Sequence, residues 1–126
     1  MPDELETAFE AATREHANAL ITFAHAFTIF NSRRIIELAA QRGLPAMYGL
    51  KEFVDDGGLM AYGPNLRASY RRAAYYVDRI LKGAKPADLP IEQPMQFDLA
   101  INLKTAQALG LTIPEHVLLQ ATEVIQ

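Results

Sequence analysis

The sequence predicts an α/β domain, a three-layer sandwich with helices on both faces of a mainly parallel sheet. The first observation is that short apolar runs of strand length alternate with segments whose apolar residues recur at helical spacing. Such alternation is typical of parallel strands joined by right-handed helical crossovers. The second is that 126 residues, 50% of them hydrophobic, suffice for one core. We therefore expect a single domain.

The first half of the chain is expected to alternate between helices and strands. Asp3 and Glu6 form a capping-box pattern at the N-terminus, Asn31 or Ser32 suits the start of a helix, and Gly43 suits its end. The expected elements are a helix ending near residue 16, a strand at 19–23, a helix from 31 or 32 to 43, a strand at 44–48, a helical turn at 51–55 and a strand at 59–62.

The second half begins with the longest predicted helix, at 65–82. Its apolar residues follow the helical period and are expected to face the core: Leu66, Tyr70, Ala73, Ala74, Val77, Ile80 and Leu81. A linker rich in Pro, Gly and Ala follows, then a strand at 97–101 and a short helix capped by Asn102. We expect residues 1–85 to form the core of the domain and residues 86–126 a C-terminal arm of the same domain.

Composition excludes several functions. The net charge of -3 is spread along the chain, so we expect no binding to nucleic acid. The N-terminal residues are acidic where an export signal would be basic, so the chain as given is expected to lack a signal peptide and to be cytoplasmic. The three histidines lie far apart, and neither Ser32 nor Ser69 has a histidine nearby in sequence. We therefore expect no metal, no cofactor and no enzymatic activity.

A candidate ligand site lies at the end of the strand at 59–62. Gly57 and Gly58 precede this strand, and Tyr62, Gly63, Pro64 and Asn65 follow it as a turn that opens the long helix. Open α/β sheets bind small molecules in such a crevice outside the carboxyl ends of their strands, where glycine permits close approach. An ordinary corner of the core without a ligand remains the alternative.

A series of segments in this sequence resembles one protein family. The segments are 36–40, 44–54, 57–65, 71–74, 76–90 and 101–114. In order and spacing they resemble the C-terminal part of bacterial ABC transporter substrate-binding proteins of the tryptophan/tyrosine type. The resemblance implies part of one lobe of a type I periplasmic-binding-protein fold. Relative to the family, we expect the export signal, the first lobe and the opening strands of the second lobe to be missing, because the chain is either an expressed piece of a longer gene or a natural truncation.

The resemblance also implies where a ligand would bind. It places Tyr48 and Gly49 at the end of one strand, and Tyr62, Gly63, Pro64 and Asn65 at the end of another, facing the cleft between lobes. Where the family usually has an acidic loop, this sequence has His25, followed by Phe27. A histidine there indicates a more neutral or anionic ligand, or a loop no longer used for binding. An ordinary loop histidine, partly exposed beside the core, is an equal alternative. Tyr48 and Tyr62 could equally be half-buried core residues.

By this resemblance the chain is part of the solute-binding component of an ABC importer, which captures an amino acid or aromatic compound and presents it to the permease. The full-length family is periplasmic. The alternative is a stand-alone interaction module without its own ligand. In either case we expect the fragment to form a homodimer, because a lobe cut from its parent exposes sheet edges and apolar surface.

Overall fold

The computed structural model describes residues 2–126, without the side chains of Pro2 and Asp3, so the predicted capping box lies outside the described residues. The helices are α1 (Pro2–Arg14), α2 (Ala26–Phe30), α3 (Ser32–Gln41), α4 (Glu52–Asp55), α5 (Leu66–Leu81), α6 (Leu103–Ala108) and α7 (Glu115–Leu118), with a 3-10 turn at Pro86–Asp88. The strands are β1 (Leu20–Thr22), β2 (Ala46–Tyr48), β3 (Met60–Pro64), β4 (Phe97–Asn102) and β5 (Glu123–Ile125).

The strands form one sheet in the order β1-β2-β3-β4-β5. The pairs β1–β2, β2–β3 and β4–β5 are parallel. Between β3 and β4 the chain reverses direction, because the amide of Asn102 donates to the Leu59 carbonyl and the amide of Asn65 donates to the Gln96 carbonyl. The predicted α/β class with a mainly parallel sheet is confirmed.

The core lies between one face of the sheet and α3, α4 and α6. From the sheet, Tyr48 and Ile101 are buried, and Ile35, Leu38 and Val54 of the helices are buried with them. The opposite face carries a row of aligned side chains, because Ile21 lies beside Met47 and Met47 beside Met60. The end of this row is open to solvent, since Ile21 is 67% exposed.

The chain forms two compact units. The first comprises residues 1–63 and 98–126, and the second comprises residues 64–97, which are mainly α5 and the segment after it. The boundary predicted between residues 85 and 86 lies inside the second unit. No helix among residues 2–126 is both long and apolar enough to cross a bilayer.

The expected burial of α5 is wrong. The helix forms where the periodicity predicts it, but none of its residues is buried, and Tyr70 and Leu81 are 75% and 82% exposed. An amphipathic pattern shows that a helix has a face suited to apolar contact, but a second surface is needed to bury that face. Among the described residues, no surface buries these side chains.

Candidate functional site

The carboxyl ends of β1, β2 and β3 meet at one edge of the sheet. At this edge, backbone atoms of neighbouring segments pack directly against one another. A Cβ atom added to Gly49 would lie 3.1 Å from the amide nitrogen of Ala24. A Cβ atom added to Gly63 would lie 2.9 Å from the carbonyl carbon of Gly49 and would overlap its oxygen. Only glycine fits at position 63. Backbone atoms of Gly49 and Gly63 therefore form the surface at this edge, which we call the floor.

His25 lies in the loop after β1 and starts α2. Its Nδ1 accepts a hydrogen bond from the Phe27 amide at 3.2 Å, and its own amide donates to the Thr28 hydroxyl oxygen at 3.0 Å. This reciprocal pair is a capping box with histidine in the usual place of serine or threonine. Because Nδ1 is the acceptor, the neutral ring carries its proton on Nε2, which is the nitrogen left for a ligand.

Several segments around this edge carry exposed aromatic side chains. Phe27 on α2 is 37% exposed and Tyr62 on β3 is 54% exposed. Phe23, in the loop after β1, and Phe30, at the end of α2, are 80% and 89% exposed. Phe23 and Phe30 were missed by the sequence analysis, although aromatic residues clustered next to a predicted strand end were a usable signal. Exposed aromatic rings suit ligands with an apolar part.

Tyr48 is placed differently from the other predicted site residues. Its ring is buried, stacks on Phe53 with centroids 4.8 Å apart, and lies so close to Gly58 that a Cβ there would be 2.7 Å from the ring. Burial raises the pKa of Tyr48 to about 12. The ring belongs to the core beneath the edge, while Gly49, the next residue, lies in the floor.

Pro64 and Asn65 open the second unit. The Asn65 side chain accepts a hydrogen bond from the Ala68 amide at 2.8 Å, so Asn65 is the N-cap of α5, as predicted. Among the residues that the structure describes, no group of three or more acidic, histidine or cysteine side chains could hold a metal ion.

Comparison with known proteins identifies the family. The model of the family described as ABC transporter substrate binding protein matches residues 2–125. The chain belongs to this family. A search of curated proteins found no match.

Solved structures agree with the assignment to the substrate-binding family. A conserved domain protein from Vibrio cholerae O1 biovar El Tor superposes with a TM-score of 0.88 at 27% identity over 98% of this chain. A Streptococcus pneumoniae ABC domain in complex with L-Trp superposes with a TM-score of 0.89, also at 27% identity over 98% of this chain. A ligand-free, open substrate-binding protein with adhesive properties from Clostridium difficile shares the fold, with a TM-score of 0.66 at 17% identity over 100% of this chain.

These relatives are longer than this chain. It spans 41% of the Vibrio protein, 42% of the Streptococcus protein and 41% of the Clostridium protein. The substrate-binding family is a non-enzymatic component of transport.

Proposed function

We propose that this chain supplies one side of a cleft that captures a small solute, an amino acid or an aromatic compound, for an ABC importer. The observation that carries the proposal is the edge at β1, β2 and β3, where a main-chain floor at Gly49 and Gly63 lies among exposed aromatic side chains. In the whole protein, which we propose to be periplasmic, closure around the solute would create the form that the permease recognises.

The residues at the edge suit the two ends of an amino acid. The exposed rings of Phe27 and Tyr62 offer apolar surface to a ligand side chain. The Nε2–H of His25 offers a hydrogen bond to a ligand carboxylate, because Nδ1 is already occupied by the Phe27 amide. The backbone at Gly49 and Gly63 permits close approach. Tyr48 supports the floor from below.

Binding to this chain alone is expected to be weak. One side of a two-sided cleft supplies only part of the contacts, and a ligand left open to water keeps much of its solvation. L-Trp is a convenient probe, because the chain contains no tryptophan and the indole NMR signals of the ligand are therefore free of overlap with protein indole signals.

The test is an NMR titration of the 126-residue chain with L-Trp. We expect shift changes at the amides of Gly49 and Gly63 and in the His25 ring, and we expect Tyr62→Ala to reduce them. Leu119→Ala is the matched control, because Leu119 is 79% exposed and belongs to another part of the first unit. Shifts confined to residues away from the strand ends, or no shifts with L-Trp, L-Tyr and L-Phe at saturation, would overturn the proposal.

We also propose that the chain self-associates. The observation that favours this second candidate is the exposure of large apolar side chains in the second unit, above all Leu81, Ile91 and Met95. Exposed apolar side chains of this size on a soluble protein mark an interface where they lie together. Sedimentation velocity over a concentration series tests it, and a monomer at all concentrations would refute it.

A further inference from the structure

Helix α2 is fixed by hydrogen bonds at its start rather than by packing. It has five residues and makes little more than one turn. None of the five is buried, and Thr28 is the one that is half-buried rather than exposed. A helix this short is not stable through its own backbone bonds, because few of them offset the entropy lost in forming the turn. The bonds at the start of α2 therefore decide whether the turn forms.

One of these bonds depends on a side chain that can take up a proton. The Phe27 amide donates to Nδ1 of His25 at 3.2 Å, so the bond needs a ring nitrogen with a free lone pair. Histidine is the side chain that commonly changes charge between pH 5 and 8. In the protonated ring both nitrogens carry a hydrogen, and neither can accept a bond. His25 is exposed, so protons from the solvent reach its ring directly.

The second bond of the capping box does not depend on the charge of the ring. The Thr28 hydroxyl oxygen accepts from the backbone amide of His25 at 3.0 Å and donates to the Phe23 carbonyl at 2.8 Å. Hydroxyl and backbone groups keep their protons across ordinary pH. Protonation of the ring therefore leaves Thr28 bound to the loop before α2 and removes the partner of the Phe27 amide, so the turn opens at Phe27.

The charged neighbours of α2 do not change charge in the same pH range. Helix α3 packs against α2, and the floor residue Gly49 lies against Ala24, just before His25. The ionisable side chains on α3, after β2 and at the adjacent end of β3 are Arg33, Arg34, Glu37, Lys51 and Tyr62. Side chains of these types normally keep one charge state between pH 5 and 8, so the titrating group here is His25.

We propose that α2 is an acid-sensitive switch beside the ligand site. Protonation of His25 at Nδ1 removes the bond from the Phe27 amide, the first turn of α2 unwinds, and the ring of Phe27 leaves its place near the strand ends. At neutral and alkaline pH the cap forms and holds Phe27 there. The effect on a ligand rests on the proposed function, whereas the change in α2 does not.

The expected direction of ligand binding separates this switch from simple charge attraction. A positive His25 ring would attract a ligand carboxylate and strengthen binding in acid, but exposed ion pairs contribute little. Unwinding of α2 displaces the aromatic surface of Phe27 and the ring of His25 together. We therefore expect acid to weaken the binding of L-Trp.

The first test is an NMR pH titration of the 126-residue chain without ligand, from about pH 8 to about pH 5. The Cα shifts of Phe27, Thr28 and Ile29 should move toward unfolded values with the same midpoint as the His25 ring. The ratio of helical to unwound α2 should fall roughly 2- to 30-fold, the range that follows loss of an N-cap. A His25 ring that stays neutral throughout, or one that is protonated while these shifts stay helical, would overturn the inference.

Two variants isolate the ring of His25. His25→Asn supplies an acceptor oxygen that does not titrate, so α2 should stay helical over the whole range. His116→Asn is the matched control at an exposed histidine of α7 and should behave as wild type. Unwinding of α2 in acid that persists in His25→Asn would overturn the inference.

The L-Trp titration is then compared at the two ends of the pH range. In wild type the dissociation constant should rise at least about twofold in acid, because fewer molecules have α2 formed. The weaker binding of His25→Asn should not depend on pH. Binding by wild type that is equal or tighter in acid would overturn the link to the ligand site. No response to L-Trp at either pH would refute the proposed function, and the ligand-free titration would still decide whether α2 switches.

Discussion

Replacing Gly63 by alanine tests the main-chain floor directly. The backbone of Gly63 is not in the left-handed region, so alanine would cause no strain in its own dihedral angles. The added methyl group would overlap the carbonyl oxygen of Gly49 and lie 2.9 Å from the carbonyl carbon. Both atoms belong to backbone at the edge of a parallel strand pair, so neither can rotate away. Strands β2 and β3 would have to separate at this edge.

Overpacking of this kind costs about 1–3 kcal/mol in the free energy of unfolding. Gly49→Ala is the graded comparison, because its Cβ would meet the Ala24 amide nitrogen at 3.1 Å, a contact that a small shift relieves. We therefore expect Gly63→Ala to destabilise the chain more than Gly49→Ala. Gly110→Ala is the control for dihedral strain without crowding, since Gly110 has a φ of 69° and no atom near its Cβ.

Urea unfolding followed by far-ultraviolet circular dichroism measures all three variants. Two results would refute the reasoning: a Gly63→Ala variant within about 0.5 kcal/mol of wild type, the range typical of neutral surface changes, or a Gly49→Ala variant that is the less stable of the two. Either would mean that the strand ends lie farther apart than the structure places them.

Three further predictions concern Tyr48, His25 and Asn102. Burial raises the pKa of Tyr48 to about 12 from an ordinary value of 10.0, so this tyrosine ionises at lower pH in the unfolded chain than in the folded one. The free energy of unfolding should therefore fall by up to about 1.4 kcal/mol per pH unit from pH 10 to 12. Urea titrations at these pH values should show the fall in wild type and not in Tyr48→Phe. His25→Asn should keep the cap of α2 but weaken the L-Trp response, whereas His25→Ala should lose both; NMR shifts of the Phe27 amide separate the two roles. Asn102→Ala should lower the free energy of unfolding in urea by about 1–2 kcal/mol, because the buried Asn102 side chain accepts a hydrogen bond from the Thr105 amide at 3.1 Å and caps α6. Gln107→Ala is the control and should change that free energy little.

The sequence predicted the elements with strong periodicity and clear end signals. Helices α3 and α5 lie within two residues of their expected limits, because Asn31 and Asn65 precede them and Gly43 and Gly83 follow. Two short elements were missed. Helix α2 has five residues and is started by a histidine, an uncommon cap, and β5 has three residues, too few for an alternation to be recognised.

The ends of β2 and β3 were predicted in position, but the surroundings of their side chains were not. Glycine and turn residues identified the strand ends, because the backbone conformations that these residues favour can be inferred from a few neighbouring positions in the sequence. Whether Tyr48 faces the crevice or the core depends on which face of β2 the helices cover, and that is a tertiary property. The exposure of α5 was unpredictable for the same reason. Apolar periodicity identifies the apolar face of a helix but does not show which surface, if any, packs against that face.

A recognition surface built from main chain cannot be redesigned one side chain at a time. In a protein that changes its solute during evolution, the carbonyl of Gly49 and the backbone of Gly63 would be inherited unchanged, since almost any replacement at 63 forces the strands apart. Variation would be confined to the rim, where Phe27, Tyr62 and His25 can be exchanged without disturbing the sheet. Such a division between a fixed platform and a replaceable border allows one scaffold to acquire new ligands by few substitutions.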